Sequence, residues 1–231
     1  VINTPRTPEA PRSLASGRRY NEPDVVDTLL RDFLGKCYLC ETKISTREHS
    51  VDHRKPQALF LALIFTWDNL FPACRDCNER RPAFPTEGLL DPTRDDVESR
   101  LTQSLRFDAT RNAEIPKFHA NDTSDASAVA TARELEHLHN GSSMKAAALR
   151  AAIGQRIDEV LASILDFQRH GSATRGPVRA QWEATLRHDL SRRAPFTALV
   201  RGRLGAGLEH LFDGPIHPRS GGSSPHTSSS S

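Results

Sequence analysis

The sequence predicts an α+β protein: a small unit of hairpin and short helix held by a four-thiolate metal site, joined to a mainly α-helical C-terminal region. Three observations carry this. The only four cysteines stand as two Cys-x-x-Cys pairs, Cys37/Cys40 and Cys74/Cys77, with 33 residues between them. The stretch between the pairs holds short extended segments interrupted by Pro56. From Ser124 onward, apolar residues recur at spacings of 3 and 4. With 231 residues, 37% hydrophobic and 26% charged, the chain has room for one or two domains with real cores.

Each element follows from local chemistry. Residues 1–23 hold Pro5, Pro8, Pro11 and Pro23 among Arg and Ser, which predicts an extended or loosely packed N-terminal arm. The metal-site unit is predicted over 24–85. Asp24 is placed to cap a short helix carrying Val25, Val26, Leu29, Leu30, Phe33 and Leu34, with Gly35 as its stop. Residues 43–53 read as short hairpin strands ending at His53, 57–66 as an apolar connection, and 67–71 as a second strand. Residues 75–81 read as a helix opening from the second Cys pair and stopped at Pro82.

Residues 86–123 read as an irregular connection with short helical pieces over 95–105. A helical region is predicted over 124–213. Val129, Leu135 and Leu138 share a helix face that ends at Gly141. Leu149, Ile153, Ile157, Val160 and Ile164 mark a long amphipathic helix over about 143–170. Val178, Trp182, Leu186 and Leu190 form a further stripe, and Phe196, Leu199, Val200, Leu204 and Leu208 another. Both read as core. Residues 214–231 contain seven Ser, three Gly and three Pro and are predicted to be a disordered tail. Gly202, Gly205 and Gly207 do not have the spacing of a nucleotide-binding loop.

The longest apolar run, residues 58–65, is too short to span a bilayer, so no membrane association is expected. No leader is visible, which predicts a cytoplasmic protein. The net charge of +2 argues for no particular partner, but its distribution is uneven. Residues 86–125 carry nine acids against five bases. Residues 171–211 carry seven Arg against Glu183, Asp189 and Glu209. Such a basic helical region either faces a phosphate backbone or is an ordinary solvated surface.

The cysteine pattern reads as structural zinc. Two cysteines three apart in a tight turn present both sulfurs to one ion, and two such turns complete a tetrahedron. Four thiolates leave no position for water, so Cys37, Cys40, Cys74 and Cys77 are expected to staple the chain rather than to catalyse.

Between the two turns lie Asp52-His53-Arg54-Lys55-Pro56 and Trp67-Asp68-Asn69-Leu70-Phe71, and Asn78 follows Cys77 directly. Phosphodiester hydrolysis needs a base near neutral pKa to take a proton from water, and an oxygen-held divalent cation to stabilise the leaving oxygen. Asp52 and His53 bring a carboxylate and an imidazole to the end of one strand, and zinc would fix where the Asn78 amide points.

In order and spacing, Cys-x-x-Cys, Asp-His-x-x-Pro, Trp-x-Asn-Leu and Cys-x-x-Cys-Asn resemble the HNH endonuclease family, the ββα-metal nucleases, in a variant with a four-Cys zinc site. The resemblance covers residues 37–81. It implies that His53 is the general base, that Asp52 and Asn78 hold catalytic Mg²⁺ or Mn²⁺, and that Asn69 pins the loop between the strands. It further implies cleavage leaving 5′ phosphate and 3′ hydroxyl on nucleic acid, DNA foremost. Where the family usually has a Lys after the last motif residue, this chain has Arg80 and Arg81. With Arg54 and Lys55 these are the candidate phosphate contacts.

A narrower resemblance rests on residues 37–41, 67–71, Gly88-Leu89-Leu90-Asp91-Pro92 and Asp95-Asp96. It is to the HNH component of the Septu anti-phage system, and implies a helical C-terminal part and an ATPase partner. The alternative is a zinc-stabilised module that binds nucleic acid or protein without cutting. His49 shares a strand face with His53 and reads as an exposed bystander or a phosphate contact. His119, His137, His139, His170, His188 and His210 read as surface, and Trp67 and Trp182 as core anchors.

Overall fold

The computed structural model describes residues 1–81, 88–171 and 175–214. The chain begins against its own core. Val1, Ile2, Asn3 and Thr4 are buried, and the Thr4 N–H donates to the Pro92 carbonyl at 2.9 Å. Arg6 lays its guanidinium 4.2 Å over the Trp67 ring and donates to the Leu70 carbonyl at 2.9 Å. The Trp67 indole N–H answers with a bond to the Thr7 carbonyl at 2.9 Å. The arm expected over 1–23 to be extended or loosely packed is thus held down at its start by these contacts. Proline removes donors without preventing burial, and stacking on a distant Trp leaves no local signature.

Helix α1 (Pro23–Asp32) starts with Pro at its first turn, where a missing N–H is harmless. It ends in a left-handed turn at Leu34 and Gly35, the Gly35 N–H donating to the Leu30 carbonyl at 2.7 Å. Val25, Val26 and Leu29 pack with Leu14, Val51, Trp67 and Leu70 in a small cluster beneath the N-terminal segment.

Strand β1 (His49–His53) pairs antiparallel with β2 (Leu70–Cys74), Asp52 opposite Phe71 and His53 opposite Leu70. The second strand begins later than expected, because Trp67–Asn69 forms a single 3₁₀ turn before it. Helix α2 (Arg75–Arg80) leaves the strand with Cys74 as its N-cap, the sulfur accepting the Cys77 N–H at 3.4 Å. Pro82, its expected stop, lies outside the described residues.

After helix α3 (Val97–Arg100), strands β3 (Leu101–Asp108) and β4 (Ala113–Ala120) form an antiparallel hairpin. This overturns the irregular connection expected over 86–123. The strands mix Pro116, charges and few apolar residues, so their alternation is faint; burial of Leu101, Ile115 and Phe118 decides them.

The helical region has four α-helices among the described residues. Asp125 caps α4 (Ala126–Asn140) and Ser143 caps α5 (Met144–Asp166), each accepting an N–H from the first turn. Ile153, Ile157, Val160 and Ile164 of α5 are all buried, each contributing roughly 1.5–3 kcal/mol. Helices α6 (Pro177–Asp189) and α7 (Thr197–Leu204) complete the region. Val178, assigned to a core stripe, is exposed, and Trp182 is half-buried. His139, expected at the surface, is buried against Phe118 with ring centroids 4.7 Å apart. All but the first residue of the expected tail over 214–231 lies outside the described residues.

One apolar cluster runs from Phe33, Tyr38, Leu39 and Phe71 through Leu135 and Leu138 to Ile153, Ile157 and Val200. The helical region therefore packs against the metal-site unit through a shared core. Polar contacts reinforce it. Buried Lys36 reaches Glu41 at 3.1 Å, the Ala194 carbonyl at 3.1 Å and the Thr197 hydroxyl at 3.3 Å. The uneven charges partly meet each other: Arg192 pairs with Glu98 at 2.7 Å and Arg203 with Glu114 at 3.2 Å.

Candidate active site and metal centre

The four cysteine sulfurs lie within 4.8 Å of one another, and those of Cys40 and Cys74 are 3.8 Å apart. A tetrahedron with Zn–S bonds of about 2.3 Å has edges of about 3.8 Å, so the donors fit one zinc ion. Cys37, Cys40 and Cys77 are buried and Cys74 is half-buried. The first turn is tight: the Cys37 N–H donates to the Thr42 carbonyl at 2.9 Å, and Glu41 takes a left-handed φ of 59°. The second is the N-terminus of α2 itself. Burial pushes Cys37 up, whereas hydrogen bonds from neighbouring thiols hold Cys74 far down.

His53 stands at the end of β1, 4% exposed. Its Nε2 lies 2.9 Å from the Ile64 carbonyl, which can only accept, so that nitrogen carries the proton. Its Nδ1 lies 2.8 Å from the side-chain amide nitrogen of Gln57, which can only donate. The two contacts select one neutral tautomer with its lone pair on Nδ1. Burial lowers the His53 pKa and keeps that form. Tyr20 presses on the ring edge-to-face at 4.6 Å.

Asp52 and Asn78 line, with His53, Tyr20, Gln57 and Arg81, one cavity of about 270 Å³. A carboxylate and an amide are hard oxygen donors suited to Mg²⁺ or Mn²⁺. A cationic group already sits at Asp52: the Arg81 guanidinium and the Tyr38 hydroxyl both donate to its Oδ2. Arg81 also donates to the Tyr38 hydroxyl at 2.9 Å and the His53 carbonyl at 3.0 Å, and its side chain is 3% exposed. Asn69 holds the loop shut from within. Its Oδ1 accepts the Lys55 N–H at 2.8 Å, and its Nδ2 donates to the carbonyls of Lys55 at 3.1 Å and Leu63 at 3.2 Å.

The four candidate phosphate contacts are not brought together as a free cationic surface. Arg81 is consumed as just described. Arg80 donates to the Leu138 carbonyl of α4 at 2.6 Å, and Arg54 to the Leu89 carbonyl at 2.7 Å. Lys55 keeps its charge 5.4 Å over the Phe60 ring, with no hydrogen bond from its ammonium among the described residues. His49 is bound to the Thr46 carbonyl at 2.7 Å, on the exposed end of the strand.

Several residues at this site carry no motif. Gln57, Tyr20 and Tyr38 are visible only in three dimensions. Glu134 of α4 is 5% exposed and feels the charges of Arg81, Asp52 and Arg80; burial pushes its pKa up to about 7. A signal for it did exist. Glu134 stands between Thr131 and Leu138 on the face that α4 buries, where a lone carboxylate is out of place.

Fold and site define a thiolate-stapled hairpin–helix unit with a neutral imidazole, a carboxylate and an amide around one cavity. Residues 37–83 match the family model described as HNH endonuclease. No curated protein and no solved structure matches the chain. Among the described residues, no helix is long and apolar enough to cross a membrane.

Proposed function

We propose that this chain is a metal-dependent HNH endonuclease that hydrolyses phosphodiester bonds of DNA. The observation that carries the reading is the state of His53. Its ring is neutral, is oriented by the Ile64 carbonyl, and keeps its lone pair on Nδ1, where Gln57 donates to it at the cavity shared with Asp52 and Asn78. Nδ1 takes a proton from water as the oxygen attacks phosphorus. The Nε2–H bond to Ile64 then supports the imidazolium that forms. Asp52 and Asn78 are the residues that would hold the divalent cation, and Asn69 keeps the loop that carries Ile64 in register with β1. When bound, Mg²⁺ or Mn²⁺ stabilises charge on the departing 3′ oxygen. Lys55, whose ammonium makes no hydrogen bond to the described residues, is the phosphate contact, and Arg81 braces the site. Zinc on the four cysteines fixes the helix bearing Asn78 to the hairpin bearing His53.

The wider role follows the likeness of residues 37–41, 67–71 and 88–96 to the Septu component: anti-phage defence beside an ATPase. The test is incubation of the full chain with supercoiled plasmid and with defined RNA, in Mg²⁺ or Mn²⁺, with and without any ATPase encoded beside it. Plasmid cleavage is expected, falling about 10²–10⁴-fold in His53→Ala. Equal cleavage by that variant removes His53 as the base. Nucleic-acid binding without cleavage under every condition favours the binding-module alternative.

A further inference from the structure

We propose that Glu134, contributed by the helical region, is a positioning residue that receives Arg81 when a divalent cation displaces it from Asp52. The inference rests on the nuclease reading of the site and concerns how its metal position is opened.

Arg81 and a metal ion compete for the same carboxylate. Asp52 Oδ2 already accepts from Arg81 and from Tyr38. A cation entering beside Asp52 repels the guanidinium, so the Arg81–Asp52 contact must loosen. Arg81 has no route to solvent, since its side chain is 3% exposed and two of its nitrogens are tied to the backbone at His53 and Arg54. Its new partner must therefore be internal.

Glu134 is that partner. It is 5% exposed, within electrostatic reach of Arg81 and Asp52, and its Oε1 has no hydrogen-bond partner. The Nε of Arg81 likewise has none. Each buried polar atom left unmet is rare in a folded protein, and the Arg80 bond to the Leu138 carbonyl, one turn along α4 from Glu134, brings the two elements together. Here they provide a second seat for the guanidinium. Because α4 also takes Arg80 at the Leu138 carbonyl, docking of the helical region places this seat behind the site. The competing account is that Glu134 only balances the buried charge of Arg80 and Arg81.

A crystal structure of the wild-type, zinc-loaded chain grown with Mn²⁺ separates the accounts, the ion being located by its anomalous signal. The expected result is Mn²⁺ on Asp52 with Arg81 hydrogen-bonded to Glu134. Mn²⁺ on Asp52 with Arg81 still on that carboxylate, or on any group other than Glu134, overturns this proposal alone. Absence of Mn²⁺ from Asp52 overturns the nuclease reading and this proposal with it. Calorimetric titration of Mn²⁺ supplies a second readout. Glu134→Gln should weaken binding about 10- to 100-fold, as when a metal ligand loses its support, and Glu134→Asp should restore most of it. Unchanged Mn²⁺ affinity in a folded Glu134→Gln protein overturns the proposal.

Discussion

Gln57 donates its side-chain amide to Nδ1 of His53 at 2.8 Å, the same nitrogen whose lone pair must receive a proton from water. The base is therefore masked in this state. A neutral hydrogen bond of this kind is worth about 1 kcal/mol net. Gln57→Ala should raise single-turnover cleavage by up to about fivefold at saturating Mg²⁺. A tenfold loss would show instead that Gln57 holds the attacking water.

The zinc staple should be inseparable from folding. Cys40→Ser removes one of four ligands from a buried site, and ligation free energy is folding free energy here. The variant is expected to lose bound zinc and its sharp thermal transition together, as should the wild type in excess chelator. Elemental analysis beside a melting curve checks both. A sharp transition at the wild-type temperature in metal-free protein would contradict the stapling role.

Two glycines should respond oppositely to alanine. In α7, a Cβ on Gly202 would stand 1.9 Å from the Gln103 carbonyl oxygen of β3, a backbone atom with nowhere to go. Gly202→Ala should destabilise the chain by about 2 kcal/mol or more. In α5, a Cβ on Gly154 meets nothing within 4 Å, so Gly154→Ala should stabilise by about 0.5–1 kcal/mol. Urea unfolding of both variants tests the packing of the helical region on the hairpin.

His139 should make stability fall with acid. Burial lowers its pKa to about 4. An unfolded histidine titrates near 6.5, so the unfolded chain binds the proton more readily. The contribution is complete above pH about 6.5 and is lost as pH falls toward 4. Between pH 7 and 5.5 the loss is about 1 kcal/mol. His139→Phe should reduce the stability difference between those two pH values by that amount, measured by urea unfolding. An offset that does not change with pH would place the acid sensitivity elsewhere.

The chemistry was legible because it is local. Spacing marks the two cysteine pairs, and the resemblance to the HNH motifs marks the Asp-His dipeptide, Asn69 and Asn78 as candidates. Helices α1, α4 and α5 were equally legible, because a buried face repeats every turn. The β3–β4 hairpin was not: Pro116 and scattered charges blur a pattern that only its burial against α4 and α7 resolves.

By itself the sequence determined that two cysteine pairs enclose the Asp52-His53 dipeptide and Asn69, with Asn78 directly after the second pair, and that amphipathic helices follow. Only the tertiary structure decided which cations are spent. Of the four basic residues beside the motif, it ties Arg54 and Arg80 to carbonyls of distant segments and locks Arg81 onto Asp52. It also sets Glu134, 53 positions beyond Arg81, within reach of that pair. The reason is that a charge's partner is chosen by proximity in space. Proximity between residues so far apart is created by packing of the shared core, which no local pattern encodes.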